Sequence, residues 1–310
     1  MGRKSLTERE GEGMELLWRL AFLTPSQLSR LSPRGCSVRW AQDTLGSLEK
    51  RGFVGHDSRR PPWDERRDGR RPHVYRLVGD GVFQAGTMSE GLGRRSAAKM
   101  YAGVAQARLT NHALLRNEYL AELAVAVRAN RKGLVLDFVG GERQAWQRAF
   151  PSLTRSPKCY PDGVAVIQHE SYPDCEVTVL IEAHTGSQDS AKTLAKKVDG
   201  YCAKGGAISD HAFHEVPEHV QTRVLFVAPN QRKAEQARRL ALTVRDGWHP
   251  GYSRLEVSRD YADPGALFLF TDVECVRITG SALGNAYFSL NSRDRGPLMR
   301  LRQKARNARP

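Results

Sequence analysis

Apolar side chains recur at helical spacing through the first fifty residues and predict three short helices. The first runs from about Glu8 to Phe22, and the second begins where Thr24 precedes Pro25, an N-cap followed by proline at the first helical position. The third begins at Ser37 and ends at Gly52, a residue type that commonly follows a helix. The apolar positions of the three helices are expected to share one core: Met14, Leu17, Trp18, Leu20, Ala21, Leu28, Leu31, Val38, Ala41, Leu45 and Leu48.

The pattern after the third helix predicts a β-hairpin. Phe53 and Val54 start its first strand, and residues His73 to Val78 form the antiparallel partner. Three helices followed by a hairpin is the order of a winged helix-turn-helix domain, in which the third helix enters the major groove of DNA. The pattern therefore predicts a DNA-binding domain over residues 1–92.

The residues of the third helix that point away from the predicted core are candidates for reading DNA. Arg39 and Gln42 can each form two hydrogen bonds with one base, so we expect them at base edges, beside Trp40, Asp43 and Ser47. The hairpin tip carries four acidic residues and six arginines, namely Arg59, Arg60, Arg66, Arg67, Arg70 and Arg71. We expect these arginines to follow the phosphate backbone or to enter the minor groove. The alternatives are a hydrated loop without a ligand and a helical domain that binds protein.

The period of the pattern changes again after this domain. Residues 93–110 are basic and rich in small side chains and predict a linker helix, and an amphipathic helix follows, capped by Asn111 and ended by Gly133. From Leu134, five strands and two helices predict an α/β sandwich with a mixed central sheet over residues 111–290, with residues 266–276 as the last strand. Residues 291–310 form a basic tail with six arginines and one lysine against one aspartate.

Two acidic residues stand at strand ends in this second part. Asp162 opens one strand and Glu182 lies near the end of the next, so a hairpin would bring them to one end of the sheet. Paired carboxylates are ligands that Mg²⁺ prefers, and Glu118 on the preceding helix could supply a third. A metal held there would polarise a phosphodiester and activate water. The alternative is structural, with Asp162 capping a turn and Glu182 pairing with Lys196 or Arg148.

A site of this kind usually has a lysine two positions after the glutamate, and this chain has His184 there. Histidine can also ligate a metal or act as a base. Lys192, Lys196 or Lys197 on the next predicted helix could take the role of the lysine. The candidate catalytic set is therefore Glu118, Asp162, Glu182, His184 and Lys196, with Asp162 and Glu182 as the metal ligands.

Charge and cysteine usage narrow the class of partner. The formal net charge of +14 favours a polyanion, because a lysine or arginine placed at a phosphate releases counterions. The five cysteines contain no CxxC pair, which gives no sign of a zinc ribbon and indicates reduced thiols in a cytoplasmic protein. No run of about 18 apolar residues occurs, so we expect no membrane span. The N-terminus lacks the apolar stretch of a secretory signal.

The ordered motifs resemble the replication-relaxation proteins of plasmids and other mobile elements. The resemblance covers roughly residues 10–250 and rests on SVRWAQDTLGSLEKRGFV, TNHALLRNEY, YPDGVAVI and LIEAHTGSQDSAKTLAKKVDGY. It implies a winged-helix domain joined to a domain similar to the PD-(D/E)xK nuclease fold. It also implies a role in plasmid replication, copy-number control or conjugative transfer.

The resemblance also assigns residues. It implies that the PDG element of the family corresponds to Pro161–Gly163. The acidic strand and the turn after it correspond to Glu182 with Thr185 and Gly186. The helix that carries a lysine and an aromatic residue corresponds to Lys196 or Lys197 with Tyr201. His184 departs from the pattern, because the family often has a second acid there and active nucleases of the fold have lysine. This departure favours a nuclease-like scaffold that is used for binding.

Three functions stay open at this point. The first is a double-stranded DNA-binding protein that acts in plasmid replication control or conjugative transfer. The second is a Mg²⁺-dependent endonuclease that the winged helix targets to a site. The third is an adaptor that recruits a relaxase or a replication initiator. Since many winged helices bind paired half-sites, a homodimer is a further expectation.

Overall fold

The chain has a mixed α/β architecture. The computed structural model describes residues 5–58, 72–104, 110–130, 133–142, 161–185, 220–246 and 268–278, and shorter pieces at 145, 193–194, 197, 201, 282–284, 286–289, 295–296 and 298. A helical part with a two-stranded hairpin comes first, and a seven-stranded mixed sheet with helices comes second. None of the helices in this described part combines the length and the hydropathy that crossing a bilayer requires.

Each of the first three helices begins directly after a capping residue, and for the second helix this is Thr24, as the sequence predicts. They are α1 (Glu8–Leu20), α2 (Pro25–Leu31) and α3 (Val38–Lys50). The residue before each helix accepts a hydrogen bond from an amide of the first turn through its side-chain oxygen, and these residues are Thr7, Thr24 and Ser37. Local capping chemistry therefore sets the start of each helix.

The predicted core of these helices is present, with one exception. Every residue assigned to it is buried except Val38, whose side chain is 44 % exposed. The prediction for Val38 was wrong, because it is the first residue of α3 and the inward face of the helix begins at Ala41. Gly52 follows α3 with a φ of +72°, a conformation that glycine adopts without steric strain.

A hairpin comes directly after α3. Strands β1 (Val54–Ser58) and β2 (His73–Leu77) pair antiparallel along their full length. Residues 59–71, which include the predicted arginine-rich tip, lie outside the described residues. Leu23, between α1 and α2, exchanges two backbone hydrogen bonds with Tyr75 and so ties the helices to the hairpin.

Helix α4 (Gly79–Glu90) was not predicted from the sequence. Its close approach to Phe53, the residue before β1, requires glycine at one position, because a Cβ on Gly81 would lie 1.9 Å from the carbonyl oxygen of Phe53. A side chain at this position would force the backbone apart.

Helix α5 (Arg94–Val104) lies within the predicted linker helix and packs on the first part of the chain. The hydroxyl of Tyr101 accepts a hydrogen bond from the amide of Leu77 and donates one to the carbonyl of Ala21, both at 2.9 Å. Both backbone groups belong to buried residues, so the tyrosine supplies partners that water cannot.

A buried carboxylate joins the start of α1 to the end of α3. Glu10 accepts hydrogen bonds from the amide of Thr7 at 2.9 Å, from the hydroxyl of Ser47 at 2.7 Å and from Arg51 at 2.8 Å. Burial alone would raise the pKa of Glu10, but these donors and the charge of Arg51 together lower it.

The second part of the chain begins with α6 (Thr110–Ala129) and is built on one mixed sheet. The strands lie side by side in chain order: β3 (Leu134–Gly141), β4 (Gly163–His169), β5 (Tyr172–Ala183), β6 (Val220–Ala228), β7 (Phe268–Asp272), β8 (Tyr287–Ser289) and β9 (Arg295–Gly296). Neighbours are antiparallel except in the pairs β5–β6 and β6–β7, which are parallel. The mixed sheet that the sequence predicts is therefore present, and β8 and β9 extend it.

Two predicted boundaries in this part were wrong. Asn111 lies inside α6, which already includes Thr110, and does not cap it. The strand predicted over residues 266–276 ends at Asp272, because this carboxylate accepts a hydrogen bond from the amide of Cys275 at 2.7 Å and starts helix α8 (Val273–Ile278). Helix α7 (Gln231–Asp246) precedes β7 and is one of the two helices that the sequence predicts after Leu134.

Both faces of the sheet are covered, and one core runs through both parts of the chain. A hydrophobic cluster contains Leu17 and Leu45 of the first helices together with Leu120 of α6 and Ile167 of β4. A second cluster lies on the opposite face of the sheet and includes Val166, Phe226 and Phe268. Alternate residues of β4 serve the two clusters, as the pleat of a strand requires.

Candidate functional site

The hairpin of β4 and β5 brings two acidic residues together. Gly163 pairs with Ile181, so Asp162 and Glu182 lie at the same end of the sheet. Lys197 lies between β5 and β6 in the chain and has helical backbone geometry, and its ammonium lies 2.5 Å from Glu182 Oε2 and 3.6 Å from Asp162 Oδ2. We call Asp162, Glu182 and Lys197 the carboxylate–lysine cluster.

Glu182 is enclosed on every side. Its side chain is 1 % exposed, one of its oxygens accepts a hydrogen bond from the hydroxyl of Tyr201, and the other accepts one from Lys197. Burial raises the pKa of Glu182, Lys197 lowers it, and the neighbouring charge of Asp162 raises it, with a net value of about 8.

Asp162 has the opposite tendency. Its Oδ2 accepts a hydrogen bond from the amide of Ala183 at 2.8 Å and lies 3.9 Å from His112 Nδ1. Burial alone would raise its pKa, but Lys197, His112 and the Ala183 amide hold it well below its usual range. The two acids thus have pKa values shifted in opposite directions although both face Lys197.

Helix α6 presents a face to this site that the sequence reasoning missed. His112 and Arg116 are four residues apart, so they lie on the same side of the helix. Arg116 donates to the backbone carbonyl of Asp162 at 2.6 Å, and the other ring nitrogen of His112 lies 3.2 Å from the hydroxyl of Thr185. Glu142 comes directly after β3, and its pKa is raised. Burial and the charge of Asp162 raise this pKa, and the nearby cations Arg116, Lys197 and His112 lower it in part.

Glu118, the predicted third acid, is held elsewhere by a different set of partners. It lies two residues beyond Arg116, which is about 200° around the helix, and so it faces away from Asp162. Its carboxylate pairs with Arg277 and, at 2.7 Å, with Arg30, and it accepts a hydrogen bond from Gln27 at 3.1 Å. The structure does not bring Glu118 to the carboxylate–lysine cluster.

The two remaining candidates in this region differ in what the structure shows. His184 follows β5, is buried, and donates its amide to the carbonyl of Val227 at 2.8 Å. Lys196 lies outside the described residues. Lys197, one of the three lysines that the sequence offers for this role, makes the contacts with the two acids. Its spacing of four residues from Tyr201 is the signal that favours it, since that spacing places both on one helical face.

The donor set of the cluster does not fit a divalent cation as it stands. Both oxygens of Glu182 already accept hydrogen bonds, and the ammonium of Lys197 lies between the two carboxylates that would share the metal. Within the described ranges, no three His, Cys, Asp or Glu side chains form a group that could hold a metal ion. Magnesium favours oxygen ligands and retains water, which this enclosed arrangement does not accommodate.

The outer face of α3 is the candidate nucleic-acid interface. Arg39, Gln42 and Asp43 are exposed, and Trp40 is half-buried with the guanidinium of Arg9 5.5 Å from its ring centre. Ser47 is also exposed but donates its hydroxyl to Glu10, so it serves the packing of α3 on α1. The six predicted tip arginines, Arg59, Arg60, Arg66, Arg67, Arg70 and Arg71, lie outside the described residues.

Comparison with known proteins adds one assignment. No curated protein and no solved structure matches the chain. A family model described as replication-relaxation matches residues 14–207, which is more than half of the chain and includes α3, α6 and the carboxylate–lysine cluster. The chain therefore belongs to the replication-relaxation family.

Proposed function

We propose that this protein binds double-stranded DNA through a winged helix-turn-helix unit formed by α1, α2, α3 and the β1–β2 hairpin. Family membership points to a role in the replication or transfer of a plasmid or other mobile element. On this proposal α3 lies in the major groove, and the residues that join β1 to β2 contact the phosphate backbone.

The observation that carries the proposal is the division of α3 into two faces. Its inner face is buried by Ala41, Leu45 and Leu48, while Arg39 and Gln42 stand exposed on the outer face. Two side chains able to bond bidentately to a base therefore share a surface that nothing in the described part of the chain covers. The six arginines between β1 and β2 and the net charge of +14 add the electrostatic component.

The test is a fluorescence-anisotropy titration of the full chain with a labelled duplex that wild-type protein has selected from a random pool. The association constant measured between about 50 and 200 mM salt should fall steeply. Its logarithm should decrease with the logarithm of the salt concentration, with a slope of about 0.9 for each phosphate contacted. Replacing all six tip arginines by alanine should lower that slope and weaken every sequence alike. Affinity that does not depend on salt would refute the proposal.

Base-specific recognition of DNA by α3 is tested by a matched pair of variants. Arg39→Ala should cost about 1–3 kcal/mol on the selected duplex and little on a scrambled one, because it removes a base contact. Arg95→Ala, which removes an exposed arginine from α5, should leave the discrimination unchanged. If both variants behave alike, α3 does not read the sequence.

A second candidate function is DNA cleavage at the carboxylate–lysine cluster, and it requires that a divalent cation displace Lys197 from between the two carboxylates. The sequence resemblance implies a PD-(D/E)xK-like domain, and Asp162, Glu182 and Lys197 lie together at one end of the sheet, where such a site needs two acids and a lysine. Incubation of supercoiled plasmid with the protein and Mg²⁺ or Mn²⁺ tests it. Cleavage that Asp162→Ala abolishes and that Asp137→Ala, an exposed acid on β3, retains would establish the enzyme.

A further inference from the structure

Lys197 stands where a cation shared by two carboxylates would stand. Its ammonium is 2.5 Å from an oxygen of Glu182 and 3.6 Å from an oxygen of Asp162. Tyr201 holds the remaining oxygen of Glu182, and the amide of Ala183 holds the same Asp162 oxygen that faces the lysine. The contacts around the two acids are thus supplied by the chain itself.

We propose that Lys197 is the built-in cation of this cluster and takes the place of a divalent metal between Asp162 and Glu182. The lysine neutralises part of the charge of the two acids and at the same time ties the chain at Lys197 to the end of β5. The cluster then works without a bound metal, and its role is to hold this end of the fold.

Burial explains why a lysine suits this position better than a hydrated ion. Glu182 is 1 % exposed, and Lys197 and Asp162 are 22 % and 18 % exposed. Mg²⁺ usually retains several waters, and the enclosed carboxylate of Glu182 leaves no room for them while Tyr201 and Lys197 remain in place. An ammonium on a flexible stem needs no such shell, since it donates directly to the carboxylates.

Removing the lysine should convert the cluster into a metal site. Lys197→Met in the full chain should lower the melting temperature in the absence of divalent ions. Added Mn²⁺ should restore part of that loss and bind at least about tenfold tighter than to wild type, because a ligand that binds only the folded state stabilises it. Lys233→Met is the matched control, since Lys233 donates to the carbonyl of Thr185 and not to the two acids.

The first readout is the melting temperature with and without Mn²⁺. The second is the number of Mn²⁺ ions bound, measured by electron paramagnetic resonance. Wild type and Lys233→Met should show no saturable site that depends on Asp162. A wild-type protein that binds one Mn²⁺ and loses it in Asp162→Asn overturns the proposal. It is also overturned if Lys197→Met binds Mn²⁺ no better than Lys233→Met does.

Two features keep the experiment decisive. If Lys197→Met does not fold, Lys197→Gln keeps a polar chain of similar length without the charge, and the comparison of wild type with Asp162→Asn stands by itself. No DNA is present in any of these measurements. Failure of the DNA-binding proposal would therefore leave this inference untouched, and the reverse also holds.

Discussion

Replacing Glu118 by glutamine should destabilise the fold without affecting any chemistry at the carboxylate–lysine cluster. Glu118 is 2 % exposed and is shared by Arg30 of α2 and Arg277 of α8, so it links three helices. The substitution keeps the shape of the side chain and removes its charge. The two arginines then lose their most buried partner.

The structure sets the size of the effect. Breaking a buried ion pair from one side costs about 3–5 kcal/mol, because the opposite charge is left buried. Here Arg30 is 21 % and Arg277 is 42 % exposed, so water solvates part of both guanidinium groups. Both also keep Glu122, at 2.6 Å from Arg30 and 3.1 Å from Arg277. We therefore expect a loss of about 2–3 kcal/mol in the free energy of unfolding.

The assay is urea unfolding followed by tryptophan fluorescence, with the free energy taken from the midpoint and the slope of the transition. Glu122→Gln is the matched control, since it faces the same two arginines but is 19 % exposed, and it should cost only about 1 kcal/mol. A Glu118→Gln protein as stable as wild type would refute the structural role. A simultaneous loss of plasmid cleavage would return Glu118 to the catalytic set that the sequence suggested.

Three further predictions concern the first part of the chain and are read out by the same unfolding measurement. Gly81→Ala should lower the free energy of unfolding by about 3 kcal/mol or more, because the added Cβ has no room. Gly46→Ala is its control in α3, where no atom lies within 4 Å of the added Cβ, and it should raise the free energy of unfolding by about 1 kcal/mol. Tyr101→Phe should cost about 1–3 kcal/mol, because it leaves two buried backbone groups without a partner, and a cost near zero would contradict that role. Glu10 has a lowered pKa in the folded state, so its stabilising contribution is complete above the ordinary carboxyl pKa and is lost as the pH falls through the folded value. Glu10→Gln should therefore flatten the loss of stability on acidification, and an unchanged acid profile would show that Glu10 does not contribute to it.

Local signals in the sequence were sufficient to predict the elements whose boundaries depend on local hydrogen bonds. Thr24 before Pro25 and Ser37 before α3 set helix starts through bonds within one turn, and these boundaries agree with the structure. The alternation around Asp162 and Glu182 likewise predicts two strands whose ends meet, because pairing in a hairpin is fixed by its short turn.

The residues that sequence reasoning misplaced depend on rotation and on distant partners. Glu118 and Arg116 differ by two positions, and only the docking of α6 decides which of them faces Asp162. The sequence likewise leaves open whether Lys192, Lys196 or Lys197 approaches the two acids, and among the described residues it is Lys197 that does. Glu142 comes directly after a strand without any motif, so no pattern in the chain marks its electrostatic coupling to Asp162.

The hydrophobic cluster that runs from α1 through α6 into the sheet bears on how such a protein changes its target. Arg116 and Asn117 of α6 also donate to the carbonyls of Leu20 and Phe22, so the first helices are joined to the second part of the chain by both apolar and polar contacts. The first helices therefore cannot be replaced independently of the second part of the chain, since a substitute from another protein would have to reproduce the whole contact surface on α6. If α3 reads DNA as we propose, substitutions on its outer face can change the recognition site without disturbing these contacts.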